Sequence, residues 1–306
     1  MKGSTVGIIG MGWVGSSIAI SLLQNGIAKN LLLNDVREGI AEGEAMDLNH
    51  GSSFLPAFNA RSAKISEMHH CDVVVVTAGR GGKPGESRLE LLKENIEITR
   101  RISEELKGFE GVLVVVSNPV DVLTYVYQKF TGLPVGKVIG TGTFLDSVRL
   151  RDMIGEEMGI EPKSIQADVL GEHGDSSVMF WSKASIGGIS LRNWEDWNPE
   201  EEHVFRDKVR KAAQEIIRRK GATNHAIGLV TASLVKYILR DDRRVVTLSV
   251  VMEGAYGLKN VALSLPCLVG GNGVERVLEP RLDEHEREQL MHSAEVLQRA
   301  IQSVDA

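Results

Sequence analysis

The sequence predicts an α/β fold, a doubly wound parallel sheet followed by a C-terminal α+β domain. Short apolar, β-branched segments alternate with amphipathic segments throughout the first half of the chain. Continuously apolar strands separated by helices are typical of a parallel sheet covered on both faces. A glycine-rich turn follows the first apolar segment, and the second half groups short strands and long helices separately.

The elements of the first half follow from these two patterns. Apolar and β-branched segments predict strands over residues 5–9, 31–34, 73–77, 113–117 and 137–139. Apolar residues at helical spacing predict helices over residues 13–24, 39–48, 89–106 and 120–130. Each predicted strand is thus followed by a crossover helix or a connection, as neighbouring parallel strands require.

The second half has a different character. A strand-and-turn segment over residues 165–191 precedes predicted helices near 200–219 and 225–239. Predicted strands near 245–252 and 261–268 follow, and a charged amphipathic helix over 284–301 comes last. We place the domain boundary near Gly142, which gives a first domain of residues 1–142 and a second of residues 143–306.

Composition bounds the class of protein. The 306 residues suffice for one large or two medium domains. Hydrophobic residues make up 42% and charged residues 25%, as in an ordinary soluble globular protein. A net charge of −6 disfavours nucleic acid and an anionic membrane surface as partners. The apolar segments are too short to span a membrane, and we recognise no signal peptide.

Cysteine and histidine usage gives no sign of a metal site. Cys71 and Cys267 form no CxxC pair, which disfavours both a disulfide framework and a cysteine-based zinc site. His69 and His70 are adjacent and therefore project differently, and no HExxH motif is present. We expect no metal and, from the sparse cysteines, a cytoplasmic location.

A GxGxxG motif directly follows the first predicted strand. Gly10 permits a tight turn, Gly12 lets the backbone approach a pyrophosphate, and Gly15 lets the helix pack on the strand. The N-terminus of the following helix offers unpaired N–H groups and a positive dipole end to phosphates. The strand–turn–helix context indicates a Rossmann dinucleotide-binding domain rather than an ordinary glycine turn.

An acidic residue stands where such a site needs one. Asp35 ends the second predicted strand, 20 residues after Gly15. A carboxylate there accepts hydrogen bonds from the ribose hydroxyls and repels a 2′-phosphate, which favours NAD over NADP. Arg37, close by, is the residue that would instead favour the phosphorylated cofactor.

Several polar residues fall where the sheet and the second domain should meet. Asn118 ends a predicted strand, and Asp146 and Arg149 lie three residues apart at the start of a helix. His173 lies in a glycine-flanked turn, and Arg88 ends a glycine-rich stretch typical of a lid. Each residue alone has an ordinary structural explanation; the complete set after a dinucleotide motif indicates a catalytic site.

The chain resembles the L-lactate/malate dehydrogenase family over nearly its full length, and is closest to the L-lactate type. The resemblance rests on the stretches GMGWVG, LLLND, MDLNHG, VVVTAG, KPGESR, VVVSNPVD, VIGTGTFLDSVRLR, LGEHGDS and GATNHAIG. It implies an NAD-dependent oxidoreductase that transfers a hydride between the cofactor and a 2-hydroxy acid.

The same resemblance implies roles for the polar residues. By it His173 is the proton donor and acceptor, with Asp146 as its carboxylate partner. Arg149 grips the substrate carboxylate, and Arg88 polarises the reacting carbonyl. An imidazole that titrates near neutrality and an arginine fork that binds two oxygens suit these roles.

Four further positions follow from the resemblance. Asn118 lies beside cofactor and substrate, while Thr223 and Ile227 line the substrate and nicotinamide pockets. Gly82 stands at the specificity position of the lid, where lactate-type members have Gln and malate-type members have Arg. This departure leaves the substrate open.

We expect an L-lactate dehydrogenase type of enzyme, acting on pyruvate or on longer or branched 2-oxo acids that the small Gly82 admits. Malate dehydrogenase is the alternative if Arg80 or Lys83 replaces the missing cation. A non-enzymatic NAD sensor would not need Asp146, Arg149 and His173 together. The resemblance also implies a homodimer or homotetramer.

Overall fold

The computed structural model describes residues 3–81 and 87–304. In the first half the described strands are β1 (Thr5–Ile9), β2 (Asn30–Asn34), β3 (Asn59–Ser62), β4 (Val73–Val76), β5 (Val112–Val115) and β6 (Val138–Gly140). The helices between and after them are α1 (Trp13–Gln24), α2 (Glu38–His50), α3 (Arg88–Glu105), α4 (Val120–Thr131) and α5 (Phe144–Met158).

Short strands open the second half: β7 (Ile165–Gln166), β8 (Val169–Leu170), β9 (Val178–Met179), β10 (Ser185–Ile186) and β11 (Ile189–Ser190). The later elements are α6 (Glu202–Lys220), α7 (His225–Arg240), β12 (Arg244–Glu253), β13 (Lys259–Gly270), β14 (Gly273–Val277) and α8 (Glu284–Gln302). The predicted bounds of the named elements differ from these by at most two residues.

Within the described ranges one sheet has nine strands in the order β14-β13-β12-β6-β5-β4-β1-β2-β3. The first-half strands are parallel to one another, as the α/β prediction requires. The prediction of a doubly wound parallel sheet with a C-terminal α+β part is confirmed. The sequence did not indicate that β12 pairs with β6, which carries the sheet across the predicted domain boundary.

Alternation along the central strands divides the core between the two faces of the sheet. Val73 and Val75 of β4 belong to one buried apolar cluster, while Val74 and Val76 belong to another. Successive side chains of a strand point to opposite faces, so an all-apolar strand must be covered on both. The helices supply that cover, and the sheet edge is left to present the functional groups.

The second half also has an apolar cluster of its own. It contains three large aromatic side chains, Trp181, Trp197 and Phe205, with a ring-centroid distance of 5.0 Å between the last two. Leu150 and Ile154 of α5 pack into it. Helix α5 therefore joins this cluster to the site at its own N-terminus. Of the helices that the structure describes, none combines the length and apolar character needed to cross a bilayer.

Candidate active site

The structure brings His173 and Asp146 into direct contact. His173 Nδ1 lies 2.5 Å from Asp146 Oδ2, although the two residues are 27 positions apart. Asp146 occupies the first turn of α5, and its side chain is only 7% exposed. The carboxylate accepts from Nδ1, so it fixes the ring orientation and leaves Nε2 as the nitrogen available for proton exchange.

Arg149 lies one helical turn after Asp146 and shares its carboxylate. Arg149 Nη1 donates to Asp146 Oδ1 at 3.0 Å, and the guanidinium side chain is 12% exposed. In the part of the chain that the structure describes, this is the only hydrogen bond of the Arg149 guanidinium. The predicted i,i+3 placement is confirmed, and the remaining N–H groups of the fork are available to a planar carboxylate.

The charges of the three groups shift one another's proton affinity. Burial by itself would raise the pKa of Asp146, but the charges and hydrogen bonds of His173 and Arg149 hold it below its usual range. Burial would lower the pKa of His173, yet the charge and hydrogen bond of Asp146 raise it. The imidazole is therefore biased toward its protonated form.

The loop that carries His173 is anchored through its backbone. The N–H of His173 donates to Asp121 Oδ2 at 2.8 Å, and the N–H of Glu172 donates to Ser293 Oγ at 2.7 Å. Gly171 exchanges backbone hydrogen bonds with Ser264 on β13. Sequence reasoning missed these anchors. Asp121 lies within the VVVSNPVD stretch, but nothing in the sequence indicates a contact 52 positions away.

Asn118 follows β5 at the carboxyl edge of the parallel strands, where open α/β sheets bind ligands. Its side chain is exposed, and its Oδ1 accepts from the N–H of Val120 at 3.3 Å. Asn95 Nδ2 donates to the carbonyl of Asn118 at 3.5 Å. The residue is thus held at the edge of the sheet with its amide NH₂ directed away from that helix-start contact.

Thr223 and Ile227 flank the start of α7, which packs on α1. Between them, Asn224 Nδ2 donates to Ser17 Oγ on α1 at 2.7 Å. Ile227 is partly buried against the main apolar cluster, and Thr223 is also partly exposed. The start of α7 therefore lies against α1, the helix that follows the glycine-rich turn.

The glycine-rich turn has the shape that a dinucleotide needs. Gly10 has a φ of +100°, and a Cβ on it would lie 2.6 Å from the backbone N of Ala78. A Cβ on Gly15 would lie 2.0 Å from the carbonyl oxygen of Gly10. At Gly12, by contrast, no described atom lies within 4 Å of an added Cβ. Close packing requires glycine at positions 10 and 15, whereas Gly12 leaves an open approach to the backbone.

The N-terminus of α1 is open as well. No side-chain cap is present among the described residues, and the first turn contains no acidic residue. The free N–H groups and positive dipole end therefore face the same space as Gly12. A cavity of about 660 Å³ continues from this point along residues 34–37 and past Thr77.

Asp35 lines this cavity. Its Oδ2 accepts from the N–H of Met11 at 2.9 Å and its Oδ1 accepts from the N–H of Arg37 at 3.0 Å. The Arg37 side chain is 75% exposed, with Nε 3.8 Å from Asp35 Oδ1. The cradle, the open helix end and this acid fit a dinucleotide with unmodified ribose hydroxyls.

The lid residues are described only in part. Gly82 and Lys83 lie outside the described residues, as does the side chain of Arg88, the first residue of α3. Ser87 caps α3 by accepting from the N–H of Glu90. Arg80 is hydrogen-bonded to Glu94 through its guanidinium and to Asn95 through its backbone.

A dinucleotide cradle beside a buried acid–base pair is the arrangement that a nicotinamide-dependent oxidoreductase requires. The chain belongs to the lactate/malate dehydrogenase family. The NAD binding domain of that family matches residues 4–140, and its alpha/beta C-terminal domain matches residues 143–306. The cofactor is therefore NAD, and the chain is an oxidoreductase that acts on a 2-hydroxy acid.

Relatives of known function and solved structures agree with this assignment. An L-lactate dehydrogenase of Synechococcus sp. (strain JA-3-3Ab) is 44% identical and covers 99% of both chains. One of Geobacillus thermodenitrificans (strain NG80-2) is 41% identical over 96% of this chain and 95% of its own. A crystal structure of the minor L-lactate dehydrogenase from Enterococcus mundtii superposes with a TM-score of 0.96 at 38% identity, covering 98% of both chains.

Proposed function

We propose that this chain is an NAD-dependent L-lactate dehydrogenase that interconverts a 2-oxo acid such as pyruvate and the L-2-hydroxy acid. The observation that carries the proposal is the contact of His173 with Asp146, with Arg149 on the same carboxylate. The group for the proton and the group for the substrate carboxylate are thus both held by the same buried carboxylate, that of Asp146.

In this proposal His173 exchanges the proton. Its imidazolium gives a proton to the carbonyl oxygen during reduction, and the neutral ring takes it back from the hydroxyl during oxidation. Asp146 holds the ring in one orientation and stabilises the protonated state. The raised pKa of His173 favours the charged form of the donor.

The two arginines divide the work on the substrate. Arg149 binds the carboxylate through two parallel hydrogen bonds, for which its remaining N–H groups are available. Arg88 polarises the reacting carbonyl and stabilises the charge that grows on its oxygen. Both assignments, and that of Asn118 beside cofactor and substrate, follow from the family resemblance.

Bound NAD supplies or accepts the hydride at its nicotinamide ring. Gly10, Gly12 and Gly15 shape the backbone cradle for the pyrophosphate, and Asp35 accepts from the ribose hydroxyls. Ile227 borders the nicotinamide pocket and excludes water from that face. These residues orient the cofactor so that the proton and the hydride reach the same carbonyl group.

Gly82 and Thr223 set the side-chain preference in this proposal. A second substrate carboxylate buried without a cation would cost several kcal/mol, and Gly82 supplies none. The contact of Arg80 with Glu94 also holds that guanidinium, which disfavours the malate alternative. Because Gly82 removes bulk, larger apolar 2-oxo acids fit the proposal as well as pyruvate does.

A substrate panel tests the assignment. NADH oxidation is followed with pyruvate, 2-oxobutyrate, 2-oxoisocaproate and oxaloacetate, and each assay is repeated with NADPH. We expect the highest kcat/KM for a monocarboxylate with NADH. A preference for oxaloacetate would instead assign the chain to malate dehydrogenases, and a preference for NADPH would show that Arg37 outweighs Asp35.

Substitution at the specificity position sharpens the same test. Gly82→Arg should raise kcat/KM for oxaloacetate and lower it for monocarboxylates, because it adds a cation for the second carboxylate. The matched control is Gly82→Ala, which fills space without charge. If oxaloacetate turnover does not rise in Gly82→Arg, another residue selects the substrate.

We also propose a homodimer or homotetramer in a reducing compartment such as the cytoplasm. The subunit number follows from the family resemblance and is measurable by sedimentation. The compartment is supported by the cysteines, since Cys71 and Cys267 are both unpaired and buried.

A further inference from the structure

Asp121 is a buried carboxylate that anchors the His173 loop but has no part in the reaction proposed above. It is 2% exposed and lies in the first turn of α4, directly after the Asn118-Pro119 segment. Burying a carboxylate costs free energy unless charges or hydrogen bonds compensate it. The positive end of α4 offsets part of that cost. Because burial of this carboxylate costs free energy, we expect Asp121 to contribute to the site.

The Asp121 carboxylate lies between the backbone of His173 and the side chain of Ser249. Its Oδ2 accepts the backbone N–H of His173 at 2.8 Å. Its Oδ1 and the hydroxyl of Ser249 are both buried and, in the part of the chain that the structure describes, have no hydrogen-bond partner within normal geometry. Among the described residues, the carboxylate of Asp121 therefore has one hydrogen bond of normal geometry. Its donor is the backbone of His173, the residue with the proposed proton role.

We propose that Asp121 is a positioning residue that fixes the backbone of His173 and presents a second buried negative charge to its imidazole. The proposal rests on the proposed role of His173 as proton donor and acceptor. Asp146 acts on the ring through Nδ1, whereas Asp121 acts through the backbone and through its charge. Asp121 does not touch the reacting atoms.

The charge balance around the two groups gives the direction of the effect. Asp146 and Asp121 both favour the imidazolium form of His173, and Arg149 opposes it. Burial raises the pKa of Asp121 to about 6, while Ser249 and His173 favour its ionised form and Glu172 disfavours it. Asp121 is therefore ionised at pH 7 and above, where its charge raises the pKa of His173.

The test measures the pKa of His173 directly, by NMR titration of histidine-labelled full-length protein with NAD bound. Asp121→Asn keeps the acceptor oxygen and removes the charge, so the pKa of His173 should fall. Asp146→Asn should lower it further. The matched control is Asp175→Asn, which removes an exposed carboxylate from the same loop and should leave the pKa unchanged because water screens it.

Pyruvate reduction supplies a second readout. In Asp121→Asn we expect kcat to fall about three- to tenfold at pH 8.5 and less than about twofold at pH 6, since the fraction of protonated His173 decreases at high pH. Asp121→Ser, a second neutral substitution, replaces Asp121→Asn if that variant does not fold.

A pKa of His173 that is the same in Asp121→Asn and in Asp175→Asn would overturn the proposal, leaving Asp121 as a structural anchor of the loop. A pH-independent loss of kcat would do the same. If the unmodified protein reduces no 2-oxo acid, the proposed function fails, but the NMR titration still decides whether Asp121 acts on His173.

Discussion

The N-termini of α1, α4 and α5 lie at the same edge of the sheet, but the first differs from the other two in charge. The first turn of α1 contains no acidic residue, and its N-cap is Gly12. The first turns of α4 and α5 contain Asp121 and Asp146, respectively. The positive end of α1 is left open for a ligand's phosphates, whereas the other two are occupied by the chain's own carboxylates.

These helix ends show where the backbone can stabilise a negative charge. A bound anion at α1 needs backbone N–H groups and no side chain, so glycine is the suitable residue there. At α4 and α5 the helix ends help to keep carboxylates ionised while they are buried against His173. In the proposed mechanism, the same backbone feature thus serves cofactor binding in one place and proton transfer in the other.

Removing the charge at α5 should have the largest effect. Asp146→Asn removes the carboxylate charge in direct contact with His173 and alters the hydrogen bond that orients the ring. We expect kcat for pyruvate reduction to fall about 10²- to 10⁴-fold, the range typical of a lost acid–base contribution. Steady-state assays across pH check this, and a kcat within threefold of the unmodified protein would contradict the role of Asp146.

Substitutions of the two arginines, Arg88 and Arg149, should affect different kinetic parameters. Arg88→Gln should lower kcat about 10²- to 10³-fold, because a donor to the developing oxyanion is lost. Arg149→Lys should chiefly raise KM for the 2-oxo acid, since an ammonium cannot form the bidentate contact. Steady-state kcat and KM for each variant separate the two, and equal effects of both variants on KM alone would argue against these assignments.

Glycine substitutions test the cradle at the N-terminus of α1. Gly15→Ala puts a methyl group 2.0 Å from the carbonyl oxygen of Gly10, so the cradle must move. We expect NADH to bind at least about tenfold more weakly, as measured by fluorescence titration. Gly43→Ala in α2 is the matched control, because no described atom lies within 4 Å of its added Cβ. Unchanged NADH binding in Gly15→Ala would mean that the cradle adapts.

The smallest effect concerns stability and its pH dependence. The pKa of Asp121 is raised to about 6 from an ordinary 3.8, so the folded state disfavours its charge. The resulting loss of stability is absent below pH 4, grows up to about pH 6 and is constant above. The free energy of unfolding of Asp121→Asn, measured by urea denaturation, should therefore exceed that of the unmodified protein by about 1–3 kcal/mol at pH 8. This difference should vanish near pH 4. A less stable variant at pH 8 would show that the charge is fully compensated.

Much of the first half could be predicted because its information is local. The bounds of β1 and α1 match the prediction residue for residue, since the glycine-rich turn separates an apolar strand from a helix whose apolar residues recur at helical spacing. Strands β3 and β14 were not predicted. Both lie at edges of the sheet and have polar or exposed positions, so their hydrophobic pattern is weak.

The site divides along the same line. The spacing of Asp146 and Arg149 on one helix is a local property and was predicted. The contact of His173 with Asp121, like the pairing of β12 with β6, depends on tertiary packing between distant segments. The roles of Gly82 and Arg88 stay predictions, because Gly82 and the side chain of Arg88 lie outside the described residues.

The sheet that runs unbroken from β6 to β12 has a consequence for assembly of the protein. Asp121 comes from the first half of the chain, and His173 and Ser249 come from the second. Neither half can form the histidine environment alone, whatever secondary structure it acquires. Turnover thus reports the joining of the halves, and during refolding we expect it to return after the circular-dichroism signal of the helices.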